Sequence, residues 1–336
     1  MRTNTEKRGG SGHDPEDDSR MIAQDDGGIP HELSLRDETW ETLVDSVLGG
    51  ECTPFLGAGV AAPYLPRGSE LAADLAKEFN YPLDDDTNLA RVTQYIASLR
   101  QPSFVKRRVC KRLAEAQRQA VEALEGGPPP NHLMLAQLRL PVYVTTNYDD
   151  YLERAVLAVG PAKPTVEICR WNDRLARDLP KYRREAPTQA KPTIFHLHGH
   201  MDEPNSILIT DDDYIDFAVS LAQRAVSKID PVIPHFVRRA LGNTNLLFVG
   251  YSLEDWNFRV LMRHIMKQQA VLPNEVYNSL SIQLSSNSMP AERRRLAEEF
   301  LEKYLKTSAA IDVYWGDAGP FLKELLHRLP PAPGMK

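Results

Sequence analysis

Beyond Leu35 the chain alternates short apolar runs with stretches in which apolar residues recur every three or four positions. The runs are Thr53-Pro54-Phe55-Leu56, Val142–Thr145, Thr193–Leu197, Asn245–Val249 and Ser279–Ile282, each bounded by glycine or polar residues. A strand with one wet face alternates apolar and polar side chains, whereas one covered on both faces does not, so these runs predict a buried parallel sheet. Helical spacing falls between them, at Leu71–Phe79, Leu89–Leu124, Asp149–Val159, Pro231–Leu241, Asp255–Met266 and Ala291–Leu305. Strands interleaved with helices predict an α/β fold, a Rossmann-like doubly wound parallel sheet. From about 69 to 130 the helical spacing continues without a strand and closes at Gly126-Gly127-Pro128-Pro129-Pro130, which predicts a helical subdomain inserted after the first strand. No internal repeat is visible.

Charge changes this picture mainly at the N-terminus. Residues 1–35 hold eight acidic against four basic residues and few apolar ones, a composition that buries too little to offset its ordering entropy, and are expected to be a disordered acidic tail. Residues 36–328 then form the folded body, and 329–336, rich in proline, a flexible tail. Of the net charge of −6 the tail carries −4, so the body is almost neutral and direct nucleic-acid binding is not expected. No uninterrupted apolar stretch reaches the roughly 18 residues of a spanning helix, and no membrane association is expected. Cys52, Cys110 and Cys169 lie 58 and 59 positions apart, which suits neither a disulfide framework nor a paired-cysteine zinc site. The expected location is cytoplasmic.

Candidate chemistry gathers where the predicted strands end. Gly57-Ala58-Gly59 follows the first strand, where a doubly wound fold turns tightly and brings backbone close to a pyrophosphate; a plain tight turn is the competing reading, because Ala62 stands where the third fingerprint glycine belongs. Thr145-Thr146-Asn147-Tyr148-Asp149 ends the second strand and offers an amide and a carboxylate, or equally a helix cap with Asp149 on the first-turn amides. His196-Leu197-His198-Gly199-His200 ends a third. His198, uncrowded by the glycine after it, is a candidate general base titrating near neutrality, while His196 reads as a packed core residue. Positions 196, 198 and 200 would share a face of a regular strand and hold a metal, but Gly199 argues against that regularity, so no metal is expected. Gly250 and Ser252 follow a fourth run and can line a nucleotide, and Thr210-Asp211-Asp212-Asp213 reads as an acidic helix start.

Taken in order, Gly57-Ala58-Gly59, Thr145-x-Asn147-x-Asp149, His198-Gly199 and Gly250-x-Ser252 resemble the sirtuin-like NAD-binding family across roughly residues 53–255. The chain departs from the protein-deacylating members: it lacks the four-cysteine zinc ribbon, reads Val60-Ala61-Ala62-Pro63 where their first loop continues with serine, and carries an insertion near Gly160–Lys191. With Tyr148-Asp149 and Asp212-Asp213-Tyr214 it looks more like bacterial sirtuin-like effectors of antiphage defence, which hydrolyse NAD. The resemblance implies NAD as substrate and Asn147 and His198 as catalytic residues. It implies binding by Gly57, Ala58, Gly59, Val60, Thr146, Asp149, Gly250 and Ser252. It further implies control by homo-oligomerisation or a separately encoded partner, such as a motor ATPase or a nucleic-acid-guided protein. A subunit that holds NAD or ADP-ribose without cleaving it is the alternative, and deacylation without zinc a more remote one.

Overall fold

A computed structural model describes residues 35–224, 231–250, 279–283 and 290–330. In chain order its elements are α1 (Asp37–Leu48), β1 (Cys52–Leu56), α2 (Gly68–Glu78), α3 (Leu89–Leu99), α4 (Pro102–Ala123), α5 (Pro130–Gln137), β2 (Val142–Thr145) and α6 (Tyr151–Val159). There follow β3 (Thr165–Ile168), α7 (Asp173–Asp178), β4 (Thr193–His196), α8 (Asp211–Arg224), α9 (His235–Asn243), β5 (Asn245–Val249), β6 (Ser279–Gln283), α10 (Ala291–Ala309), β7 (Ile311–Trp315) and α11 (Ala318–Arg328). The strands form one sheet in the order β3-β4-β2-β1-β5-β6-β7, and every pairing is parallel.

Alternation of side chains across the sheet splits the core in two. Phe55, Val144, Phe195 and Phe248 point to one face, packed with residues of α8, α9 and α10 such as Phe217, Val237 and Leu305. Leu56, Tyr143, Ile194 and Leu247 point to the other, packed with residues of α1, α5, α6 and α11 such as Trp40, Leu135, Val156 and Phe321. Five expected strands appear, and two more were not anticipated. Both newcomers lie at the sheet's edges and are only partly buried: β3 reads Thr-Val-Glu-Ile and β7 reads Ile-Asp-Val-Tyr-Trp, so neither shows a continuous apolar run. Strand β3 and the short α7 are supplied by the insertion at 160–191. Pro54 sits inside the central strand, and the ladder between β1 and β2 begins only one residue later, at Phe55↔Val144; a residue without an N–H has no ladder bond to donate there.

Four helices and no strand occupy the stretch between β1 and β2. The expected continuous helix over Leu89–Leu124 is divided, because Pro102 opens α4 and forces the preceding Gln101 into an extended conformation. Helices α2, α3 and α4 share their own apolar cluster, with Leu75, Val92, Ile96 and Val109 meeting Ile207 and Ile209 of the loop after β4. That contact brings the inserted helices against a loop at the carboxyl edge of the sheet.

Candidate functional site

Strands β4, β2, β1 and β5 are neighbours, so their carboxyl ends set the histidine segment, the Asn147 segment, the Gly57 turn and Gly250 along one continuous edge. Connections leave β1 toward β2 and return from β4 across it to β5, which makes the β1/β5 boundary the topological switch point where open α/β sheets form their crevice.

At that boundary the glycines are required by the protein itself. Gly59 N–H donates to the Gly250 carbonyl at 2.8 Å, and a Cβ on Gly59 would lie 2.9 Å from the Gly250 backbone. Gly250, at φ +69°, would drive a Cβ to 2.1 Å from the Val60 nitrogen. The two turns therefore interlock backbone to backbone, as the plain-turn reading supposed. Ala58 is exposed and Val60 is buried in the core. Ser252 and the expected helix at Asp255–Met266 lie outside the described residues.

Asn147 is buried and bridges two strand ends. Its side-chain amide donates to the Gly57 carbonyl at 3.2 Å, its N–H donates to Thr145 Oγ1 at 3.0 Å, and its own carbonyl accepts from His196 Nδ1 at 3.0 Å. Those bonds differ from the helix-cap alternative. Asp149 does serve the helix, accepting from Tyr151 N at 3.1 Å at the start of α6, and burial raises its carboxyl to about 6. Thr146 is half-buried and its hydroxyl donates to the Leu56 carbonyl at 3.2 Å.

Strand β4 stops at His196, and the three histidines do not share a face. His198 turns toward α8, edge-on to Tyr214 at 5.6 Å and Phe217 at 6.3 Å. Burial pushes it down to about 4, so near pH 7 it is neutral and holds a lone pair able to accept a proton; the titration near neutrality expected from sequence presumed a wetter site. Gly199 makes this turn possible at φ +93°, with the Ser206 carbonyl oxygen 2.3 Å from where a Cβ would stand. His196 and His200 instead meet edge-on at 4.7 Å on the opposite side, beside Glu153 of α6: His196 Nε2 is 3.0 Å and His200 Nε2 3.6 Å from Glu153 Oε1.

Several residues that support this edge carry no motif. Lys106 of α4 forms a buried ion pair with Asp213 at 2.7 Å, donates to the Ile207 carbonyl at 2.9 Å and lies 5.0 Å over the Trp171 ring. Asp213 Oδ2 accepts from the Ile209 and Thr210 amides, both at 3.1 Å. Thr93 and Tyr148 donate to the Ile209 and Leu208 carbonyls, Trp171 donates to the Ser206 carbonyl, and Leu208 N–H donates to the His198 carbonyl. The loop bearing His198 is thus held from the inserted helices, the Asn147 segment and the insertion after α6. Only the acidic helix start at Asp211–Asp213 signalled any of this; a lysine inside an amphipathic helix reads as solvated.

A Rossmann-like parallel sheet with these turns along its switch-point edge is similar to the sirtuin-like class, and all three cysteines are free and buried. Residues 141–305 match the family model of the SIR2-like domain. It is 26% identical over 217 residues to the NAD(+) hydrolase ThsA of Acinetobacter baumannii (strain 532279), an alignment covering 63% of this chain and 38% of that protein. To the NAD(+) hydrolase ThsA of Bacillus cereus (strain MSX-D12) it is 24% identical over 238 residues, covering 70% and 43% respectively. To that of Cytobacillus dafuensis it is 26% identical over 212 residues, covering 63% and 37%. The chain spans about two-fifths of the length of these relatives. No helix among the described residues is long and apolar enough to cross a membrane.

Proposed function

We propose that this chain hydrolyses NAD at the nicotinamide N-glycosidic bond, and that it serves as a triggered effector of antiphage defence. The observation that carries the reading is that the Gly57 turn, Asn147, the histidine segment and Gly250 follow four adjacent strand ends along one sheet edge, with Asn147 bonded to Gly57. The likeness to relatives named NAD(+) hydrolase supports it. In the reaction water adds across the C1′–N bond: its oxygen joins C1′, nicotinamide departs with the bonding electron pair, and one proton is released, leaving ADP-ribose. Because the ring nitrogen of bound NAD already bears positive charge, departure needs no general acid and the transition state is oxocarbenium-like. His198, neutral in its buried setting, takes the proton from water or from a ribose hydroxyl; Asn147 positions that hydroxyl, and Asp149 lies on the carboxamide side. The Gly57–Val60 turn and Gly250, with Thr146 and Ser252, would cradle the dinucleotide. Control by self-association or a separate partner belongs to the same proposal.

The test is incubation of the purified chain with NAD, alone and with candidate partners or phage components, with products resolved chromatographically. His198→Ala should lower turnover by roughly 10²–10⁴-fold while NAD binding persists. Turnover at the wild-type rate in that variant would overturn the assignment. A second reading is favoured by the close packing of His198 against Tyr214 and Phe217: a subunit that binds NAD or ADP-ribose without cleaving it. Tight binding with no nicotinamide released under any condition would select it.

A further inference from the structure

We propose that Glu153, His196 and His200 form a binding site for a divalent transition metal of the zinc type, on the side of the sheet edge away from His198. The three donor atoms lie within 4.8 Å of one another, with Glu153 on α6, His196 at the last position of β4 and His200 four residues on. Around a tetrahedral zinc with bonds of about 2.0–2.1 Å, neighbouring ligand atoms stand about 3.3 Å apart. The two contacts to the Glu153 oxygen, 3.0 Å from His196 and 3.6 Å from His200, bracket that spacing. Two imidazoles and one carboxylate leave a fourth position for water, the donor set of many metal sites.

Proton placement on His196 points the same way. The Asn147 carbonyl can only accept, so His196 must carry a hydrogen on Nδ1, which is the backbone-anchored arrangement common behind metal-bound histidines. Its Nε2 then faces a carboxylate oxygen at 3.0 Å, and two lone pairs at that distance repel unless a positive charge stands between them. A proton would satisfy His196 and Glu153 alone. It would leave His200 Nε2, which is buried and makes no hydrogen bond, 3.6 Å from the same carboxylate oxygen. A cation serves all three together. For His200 this requires its ring hydrogen on Nδ1, which at present accepts from the Asp202 N–H at 3.2 Å; the Asp202 carboxylate, 3.7 Å from the same nitrogen, is placed to take that hydrogen.

Such an ion would join α6 to the end of β4 next to Asn147, and its binding does not depend on whether the chain cleaves NAD. The experiment uses the full chain without a polyhistidine tag, stripped with chelator, reloaded with Zn²⁺, freed of excess by gel filtration and assayed for metal by mass spectrometry. Co²⁺ loading is followed by visible absorption. Wild type should retain about one equivalent of zinc and give the intense spectrum of low-coordinate cobalt, with Glu153→Gln and His200→Asn falling to roughly a tenth or less. Circular dichroism and melting check that those variants fold. Asp202→Asn changes an exposed side chain and should fold normally while weakening zinc roughly tenfold. Zinc retention no greater in wild type than in His200→Asn, or a cobalt spectrum matching the hydrated ion, overturns the site.

Discussion

The buried pair of Lys106 and Asp213 offers the sharpest test of how the inserted helices hold the histidine loop. Replacing Lys106 with methionine keeps most of the length and the apolar stem but removes the charge. At 2.7 Å the gross attraction is about 6 kcal/mol for an effective dielectric near 20, and desolvation of both ions consumes much of it. The variant does not recover that desolvation cost on the Asp213 side. The carboxylate stays buried, with the Ile209 and Thr210 amides on one oxygen and its cation gone, and the Ile207 carbonyl loses its donor. Removing one partner of such a pair costs roughly 3–5 kcal/mol. Asp213→Asn in the same background should restore part of the loss, because no unpaired charge remains and the asparagine oxygen still accepts from the loop amides. The coupling between the two positions should be on the order of 1–3 kcal/mol. Urea denaturation of wild type, both single variants and the double variant measures it. A loss under about 1 kcal/mol for Lys106→Met, or two single losses that simply add in the double variant, would refute the view that this pair is desolvated and mutually dependent.

Gly199→Ala should destabilise by at least about 1–3 kcal/mol, since the positive φ and the nearby Ser206 carbonyl both oppose a Cβ; an unchanged denaturation midpoint would contradict the backbone drawn for the loop after β4. Tyr148→Phe removes the donor to the Leu208 carbonyl at 2.6 Å and should cost about 1 kcal/mol, read from the same denaturation curves. The loss should be smaller than that of Lys106→Met, because no charge is left behind.

The centre of the sheet was legible because its strands are covered on both faces. In β1, β2, β4 and β5 nearly every position is buried, and that demands consecutive apolar side chains. Edge strands obey a weaker rule. In β3 Glu167 is buried while Val166 is exposed, an order that no hydrophobic pattern announces. The break before Pro102 is a local steric effect, and it needed a proline to be weighed above an otherwise unbroken period.

At the sheet edge the limit is of another kind: the same residue types cap helices, line turns, bind ligands and perform catalysis. Gly59 and Gly250 illustrate it, because their interlocked backbones already require glycine before any dinucleotide is considered. Asn147 reads from sequence as either cap or site, and its partners prove to be strand-end groups rather than first-turn amides. The amide is bonded to the Gly57 carbonyl and the carbonyl to His196, so the residue couples the dinucleotide-type turn on one strand end to the His196–Glu153–His200 cluster on another. The cluster depends on three positions spread over 48 residues whose meeting is decided by where β4 stops. Had β4 run on regularly to residue 200, His196, His198 and His200 would stand on one face, as strict alternation suggests. Because Gly199 lets the chain turn, His198 goes to one side and the other two imidazoles to the opposite side. A single glycine at positive φ thus separates the proposed base from the proposed metal ligands, and the two assignments can be tested by different variants with different readouts.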